Sequence, residues 1–251
     1  MEPKRIFGIG LSRTGTVTLD NLLTELGFRV THYPLWLFLF PEQIRLDGPL
    51  YRISYVNIIK KRRIEYYKNY YKNRRLDKGI DQYDAFLDLP IPLFYKHLSL
   101  EFPNAKFILT TREVGSWLES MRWLFSDGAV LWRFDELDYQ ILYAVYGVKR
   151  FNESRLRSFY DSYHEDVEDF FCDKRDRLLR LDFSKEKTPA LRVAEFLEVE
   201  PKDIHMGVSN ARKDVSFGER LDYWMFRALP GYMTFKHVLL RLRVWERGKV
   251  K

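Results

Sequence analysis

The chain has 251 residues, 46% of them hydrophobic, which excludes global disorder and suits one α/β domain with insertions or two small domains. Its single cysteine, Cys172, excludes a disulfide framework, points to a reducing compartment and is expected to pack as a small hydrophobe. A formal charge of +7 suits an anionic ligand, an anionic surface or nucleic acid and does not choose among them.

In chain order, no apolar leader precedes "RIFGIG" at 5–10, which argues against a cleaved export signal and for a cytoplasmic protein. The segment itself reads as a buried strand ending in glycine. Val17, Leu19, Leu22, Leu23 and Leu26 then recur at helical spacing, and Gly27 caps the end. "FRVTH" at 28–32 reads as a second strand, completing a β–loop–α–β unit that implies a parallel sheet. Residues 33–82 form an insertion, rich in tyrosine and expected to be helical with charged faces. It includes the basic run "KKRRIEYYKNYYKNRR" at 60–75, which reads either as a solvated helix or as a grip on an anionic or sugar-like partner. The longest apolar run, "PLWLFLFP" at 34–41, holds six apolar residues between prolines, where a bilayer span needs about 20.

Regular pattern resumes with a strand at 84–88, a helix at 91–102 and the β-branched strand "KFILTT" at 106–111. A helix over "EVGSWLESMRWLF" follows, then a helical stretch at 153–172, a strand at 177–183 and a helix at 188–199. The tail from 202 onward is basic and aromatic, without repeats. The expected fold is three-layered α/β: a central, mainly parallel sheet flanked by helices. It is expected to form one domain over 1–251, with the insertion at about 33–82 and a basic extension at about 216–251.

The stretch "GIGLSRTGTVTL" at 8–19 carries the chemistry. Gly10 and Gly15 stand five apart, as in a phosphate-binding P-loop, but Thr16 and Val17 occupy the places of the lysine and hydroxyl that serve a nucleoside triphosphate and Mg²⁺. Backbone N–H groups at a helix N-terminus still bind an anion without those side chains. Arg13 adds a cation, and Thr14, Thr16 and Thr18 add hydroxyls. Such a loop suits a group already carried as a good electrophile, with no metal expected. A sulfuryl group on a nucleotide is one.

"GLSRTGTVTL" resembles the 5′-phosphosulfate loop of sulfotransferases that use 3′-phosphoadenosine-5′-phosphosulfate (PAPS), with Arg13-Thr14-Gly15-Thr16 matching its core. The resemblance implies that Ser12, Arg13, Thr14, Gly15, Thr16 and Val17 hold the donor. "KFILTTREVGSWLESM" at 106–121 is similar to the 3′-phosphate motif of the same superfamily, a strand with an arginine at its end and a serine eight residues on, which implies that Arg112 and Ser120 bind that phosphate. Physically, an arginine at the C-terminal end of a parallel strand presents a planar fork to phosphate. In "FLDLPIP" at 86–92, Asp88 stands where the family places its general base, and "GFRVTHYP" at 27–34 supplies His32. The likeness covers roughly 4–125 well and 177–215 loosely.

The family resemblance implies in-line displacement at sulfur, with a hydroxyl or amine of a small-molecule or carbohydrate acceptor as nucleophile and Arg13 stabilising the leaving group. Asp88 is the expected base from its order in the chain. His32 competes on intrinsic basicity, since imidazoles titrate near 6.5 and carboxylates near 3.9. Thr18 stands where cytosolic members carry an aromatic residue that stacks on adenine. "NARKDVSFGER" at 210–220 has Arg212 and Lys213 but lacks the glycine that follows them in the family's C-terminal phosphate grip. Three other readings stand beside this one: a P-loop small-molecule kinase, a catalytically inactive nucleotide-binding scaffold, and a nucleic-acid binder. No helix-turn-helix, zinc or RNA-platform motif supports the last, so no specific nucleic acid is expected. The acceptor pocket is expected from residues 33–82 and 125–152, with Trp36, Trp123 and Trp132 available for ring stacking or packing. Acceptor identity and oligomeric state stay open at the level of sequence.

Overall fold

The computed structural model describes residues 5–34, 82–131, 136–201 and 215–228. The greater part of the 33–82 insertion, with Trp36 and the basic run at 60–75, lies outside them, as do Trp132, Arg212 and Lys213.

Among the described residues five strands form one sheet: β1 (Ile6–Gly8), β2 (Val30–His32), β3 (Ala85–Leu87), β4 (Lys106–Thr110) and β5 (Leu178–Leu181). Their order is β2-β3-β1-β4-β5 and every pairing is parallel. Parallel strands need crossovers, and helices supply those that the described residues include, with packed cores on both faces of the sheet. Successive side chains of a strand face opposite ways, so each strand feeds two cores. Phe7, Phe86, Phe107 and Leu109 point into one core, with Trp117, Met121, Leu156 and Val167. Ile6, Leu87, Ile108 and Leu181 point into the other, with Leu19, Leu22, Val193 and Leu197. Phe7 is the hub of the first core, its ring 5.6 Å from that of Phe86 and 5.5 Å from that of Phe107. Truncating a fully buried phenylalanine such as Phe107 to alanine costs about 3–5 kcal/mol.

Helix α1 (Thr16–Glu25) buries Leu19, Leu22 and Leu23 on one face and stops at Gly27. There the Phe28 amide donates to the Leu23 carbonyl and the Gly27 amide to that of Thr24, closing a Schellman turn around Gly27 at φ 102°. The helix expected at 91–102 divides into a 3₁₀ turn (Ile91–Leu93) and α2 (Tyr95–Glu101). Helix α3 (Val114–Trp123) runs on through a π turn (Leu124–Gly128) to Ala129–Leu131. Helix α4 (Glu136–Tyr146), which the sequence pattern did not reveal, then precedes α5 (Glu153–Phe170). Helix α6 (Pro189–Leu197) follows β5, and a further unanticipated helix, α7 (Phe217–Ala228), lies in the tail. Cys172 is exposed just past the end of α5 and does not pack as a core hydrophobe. No described helix is long and apolar enough to cross a membrane.

The register fixes where chemistry can gather. Gly8 of β1 and His32 of β2 both lie opposite Leu87, so the loop after β1, the end of β2 and Asp88 share the C-terminal edge of the sheet. Ligands of open parallel sheets bind at that edge.

Candidate active site

The loop between β1 and α1 is pulled tight against β4. A Cβ on Gly10 would stand 1.8 Å from the Thr110 hydroxyl oxygen and 2.8 Å from its carbonyl, so glycine alone fits. Gly15 has φ 108° and lies against the Phe183 ring, and it leads α1 with no side-chain cap and no acidic residue in the first turn. An uncapped helix N-terminus presents N–H groups and positive potential to an anion.

Within the loop, alternate residues face opposite ways. Ser12 is buried and all three of its polar groups meet protein partners. Its amide donates to the Tyr146 hydroxyl (3.2 Å), its carbonyl accepts from Trp117 Nε1 (2.9 Å), and its hydroxyl donates to Asp88 Oδ1 (2.6 Å). Thr14 is also buried; its hydroxyl donates to the Leu11 carbonyl and lies 2.7 Å from that of Thr110. Arg13, at φ 73°, turns the other way. Its Nε donates to Ser120 Oγ at 3.0 Å, and its guanidinium lies 4.8 Å from the centre of the Trp123 ring, within cation–π range. Arg112 reaches the backbone of the same residue, its Nη1 3.4 Å from the Arg13 carbonyl. The structure thus brings Arg13, Arg112 and Ser120 together, with Ser120 fully buried.

Asp88 forms the other side. It is buried, has a left-handed backbone at φ 65°, and stands at the end of β3. A non-glycine residue held there stores about 1–3 kcal/mol of strain. Oδ1 accepts from Ser12 and from the Leu89 amide (2.7 Å); Oδ2 accepts from the Thr16 hydroxyl (3.2 Å) and lies 3.5 Å from His32 Nε2. His32 Nε2 is also 3.2 Å from the Thr16 oxygen. Thr16 has one hydroxyl proton, and it points at Asp88, so the His32 nitrogen that faces Thr16 is the N–H donor. With two donors already on Oδ1, Oδ2 is the carboxylate oxygen with capacity left. Asp20, one turn along α1 from Thr16, feels the same imidazole: burial raises its pKa, against the lowering effect of His32. Among the described residues no group of three or more His, Cys, Asp or Glu is placed to hold a metal ion. Val17 stands half-exposed in the first turn of α1.

Four residues of the site escaped the sequence reading. Tyr146 of α4 and Trp117 of α3 hold Ser12, and burial together with nearby Asp88 pushes the Tyr146 hydroxyl well above the ordinary tyrosine pKa. Tyr160 of α5 donates to the Arg112 carbonyl (2.5 Å) and accepts from its amide (3.1 Å), fixing the backbone from which the guanidinium projects. Glu113 caps α3, accepting from the Gly115 and Ser116 amides at 2.7 Å each, and those two bonds hold its carboxyl below the usual carboxylate range. Beside Arg112 opens a groove of about 350 Å³, lined by Tyr160, His164, Arg180, Asp182 and Lys185 among others. His164 Nδ1 donates to the Tyr160 carbonyl (2.7 Å), so in the neutral ring Nε2 is the acceptor nitrogen, and burial lowers the pKa of the ring.

A parallel α/β sheet with a glycine-rich loop entering α1, and with charged groups gathered on the strand ends beside it, is an arrangement physically suited to an anionic ligand at that edge. The sulfotransferase domain family matches residues 5–215, and the chain belongs to that family. A curated relative, Ava biosynthesis cluster protein M of Aspergillus versicolor, is 30% identical over 118 residues, which is 47% of this chain. That match spans 42% of the relative's own length. Among solved structures, a sulfotransferase from Alicyclobacillus acidocaldarius is similar at 15% identity and a TM-score of 0.47, over 93% of this chain and 100% of the other.

Proposed function

We propose that the protein transfers a sulfuryl group from PAPS to a hydroxyl or amine of a small-molecule or carbohydrate acceptor. The observation that carries this reading is the convergence of two guanidinium-bearing residues on one loop, Arg13 beside Ser120 and Arg112 on the Arg13 carbonyl. A donor charged at both its 5′ and 3′ positions needs two such cations a short distance apart.

In this reading the 5′-phosphosulfate rests on the N-terminus of α1 from Gly15 onward, because the Ser12 and Thr14 amides already donate to protein acceptors. Thr16 and Val17 open that helix. Arg112 takes the 3′-phosphate, with Ser120 beside it and Arg212 and Lys213 as further contacts from the C-terminal side. Phe183, lying against Gly15, supplies the aromatic surface that Thr18 lacks. The acceptor oxygen or nitrogen attacks sulfur, the bond from sulfur to the bridging phosphate oxygen breaks, and 3′-phosphoadenosine-5′-phosphate (PAP) leaves. Arg13 and the helix N-terminus stabilise the charge that grows on the departing oxygen. The acceptor proton passes to Asp88 Oδ2, the oxygen with capacity left, while His32 donates through Nε2 and orients the pair.

One contact favours a second reading. A loop hydroxyl beside a strand-end aspartate also holds Mg²⁺ in nucleoside-triphosphate loops, and Thr16 on Asp88 makes a similar pair one position before the usual hydroxyl, so phosphoryl transfer is the rival. A transfer assay separates the two. With sulfur-labelled PAPS and a panel of phenols, sugars and amines, labelled product forms in the presence of EDTA, and γ-labelled ATP yields none. Transfer from ATP that EDTA abolishes would assign the site to a kinase.

A further inference from the structure

Ser120 is the residue whose place in the structure departs most from the role its motif implies. The family resemblance gives it to the 3′-phosphate. Ser120 is, however, 0% exposed, and its hydroxyl oxygen accepts from Arg13 Nε at 3.0 Å. A phosphate could reach that oxygen only after the arginine had moved away. Arg112 differs: it is partly exposed and borders the groove of about 350 Å³. The 3′-phosphate can therefore be met by Arg112 with Ser120 left where it is.

Arg13 needs what Ser120 gives. Its backbone stands at φ 73°, in the left-handed region that is costly for a residue with a Cβ. An arginine side chain also has many rotamers to lose before it can grip an anion. Two side chains of α3 remove that freedom. Ser120 and Trp123 lie three residues apart, on one face of the helix. Ser120 fixes the guanidinium through Nε. The Trp123 ring, its centre 4.8 Å from the guanidinium, supports it by a cation–π contact, for which indole is the best of the aromatic rings. Trp123 is braced in turn by the π turn that follows it. A Cβ on Gly128 would stand 2.8 Å from Cζ3 of the indole and 3.1 Å from Cε3, so glycine there makes room for the ring. Such π turns inside helices are frequent at functional sites.

We propose that Ser120 and Trp123 are positioning residues that clamp Arg13 for the 5′ end of the donor, and that Ser120 does not bind the 3′-phosphate, an assignment that rests on the sulfuryl-transfer reading for the identity of the donor. The clamp orders the arginine before the ligand arrives, so that ordering is not subtracted from the binding energy.

The test uses the full chain and isothermal titration without Mg²⁺ against three ligands. AMP carries only the 5′-phosphate, adenosine 3′-phosphate carries only the 3′ group, and PAP carries both. Ser120→Ala is expected to weaken AMP and PAP by a like factor, about three- to tenfold, and to leave adenosine 3′-phosphate within about twofold of the parent. Trp123→Leu is expected to give the same pattern at about two- to fivefold. General damage to the fold would weaken all three ligands, so adenosine 3′-phosphate separates positioning from instability. A second readout needs no ligand: the Arg13 Nε–H resonance, protected in the parent by its bond to Ser120, is expected to exchange faster with solvent in Ser120→Ala.

Weaker adenosine 3′-phosphate and PAP with AMP unchanged would overturn the proposal and return Ser120 to the 3′-phosphate. So would three unchanged affinities, or an Arg13 resonance that is the same in both proteins. The donor reading is judged separately, by whether the parent prefers PAP to AMP. That preference can stand while the clamp fails. Where it is absent and both AMP affinity and the Arg13 resonance respond to Ser120→Ala, the clamp stands and serves a different 5′-nucleotide.

Discussion

The two flanks of the β1–α1 loop differ in the sign of their chemistry. On the β3 flank stand a carboxylate, an imidazole and the hydroxyls of Ser12 and Thr16, linked through Asp88. On the β4 flank stand two arginines, a buried serine and the capped N-terminus of α3. In the proposed reaction one loop thus divides a proton-handling side from an anion-holding side, and it does so by alternation: Ser12 and Thr14 turn inward, Arg13 turns out. On that reading the same alternation separates affinity from rate. Groups on the β4 flank should set how tightly the donor is held, and groups on the β3 flank how fast it reacts.

Asp88→Asn offers the largest expected effect. It keeps the shape and removes the proton acceptor, so kcat for sulfuryl transfer is expected to fall at least about 100-fold, with the KM for PAPS changed little. A matching rise in KM would place Asp88 on the anion-holding side and break the comparison. Ser12→Ala is expected next, at roughly tenfold in kcat, because Asp88 Oδ1 loses a 2.6 Å hydrogen bond. The affinity for PAP should stay within about threefold in that variant, since the Ser12 amide already serves Tyr146. If affinity collapsed with rate intact, Ser12 would be a donor ligand.

Glu113→Ala is the smallest. It uncaps α3 beside Arg112, and a loss of a few-fold in PAP affinity is expected, with faster amide hydrogen exchange at Gly115 and Ser116. The pH dependence follows from the lowered carboxyl. A carboxylate stabilised in the fold contributes fully above its ordinary value of about 4.3, and its contribution is lost as pH falls through the lowered folded value. Protection of those two amides is therefore expected to hold at neutral pH, to fade below about pH 4 in the parent and to be absent throughout in the variant.

Much of the sheet and its edge was legible because its signals are local. Apolar strands ending at glycine or a charge, and leucines at helical spacing, announced β1, α1, β3 and β4, while Asp88, His32, Arg112 and Ser120 were marked by the likeness of their motifs to those of the sulfotransferase family. What escaped depends on distance along the chain. Trp117 and Tyr146 reach Ser12 across 105 and 134 residues. Tyr160 shares the apolar face of α5 with Leu156, Tyr163 and Val167, so periodicity shows it as packing and hides the hydroxyl that fixes Arg112. Helix α4 escaped because its residues, "ELDYQILYAVY", are apolar almost all round, so no one face stands out, even though Gly147 closes it. Helix α7 escaped for the opposite reason: its apolar stripe faces outward, beside a short docked side.

The central claim is that Arg112 and Arg13 hold the two ends of a single donor. Isothermal titration of PAP without Mg²⁺, against AMP and ATP, tests it most directly. Binding of PAP at least about 30-fold tighter than AMP, with that margin erased in Arg112→Ala, is the predicted result, in line with a charge-assisted phosphate contact of about 2–3 kcal/mol. Equal binding of PAP and AMP, or a margin that survives Arg112→Ala, would contradict it.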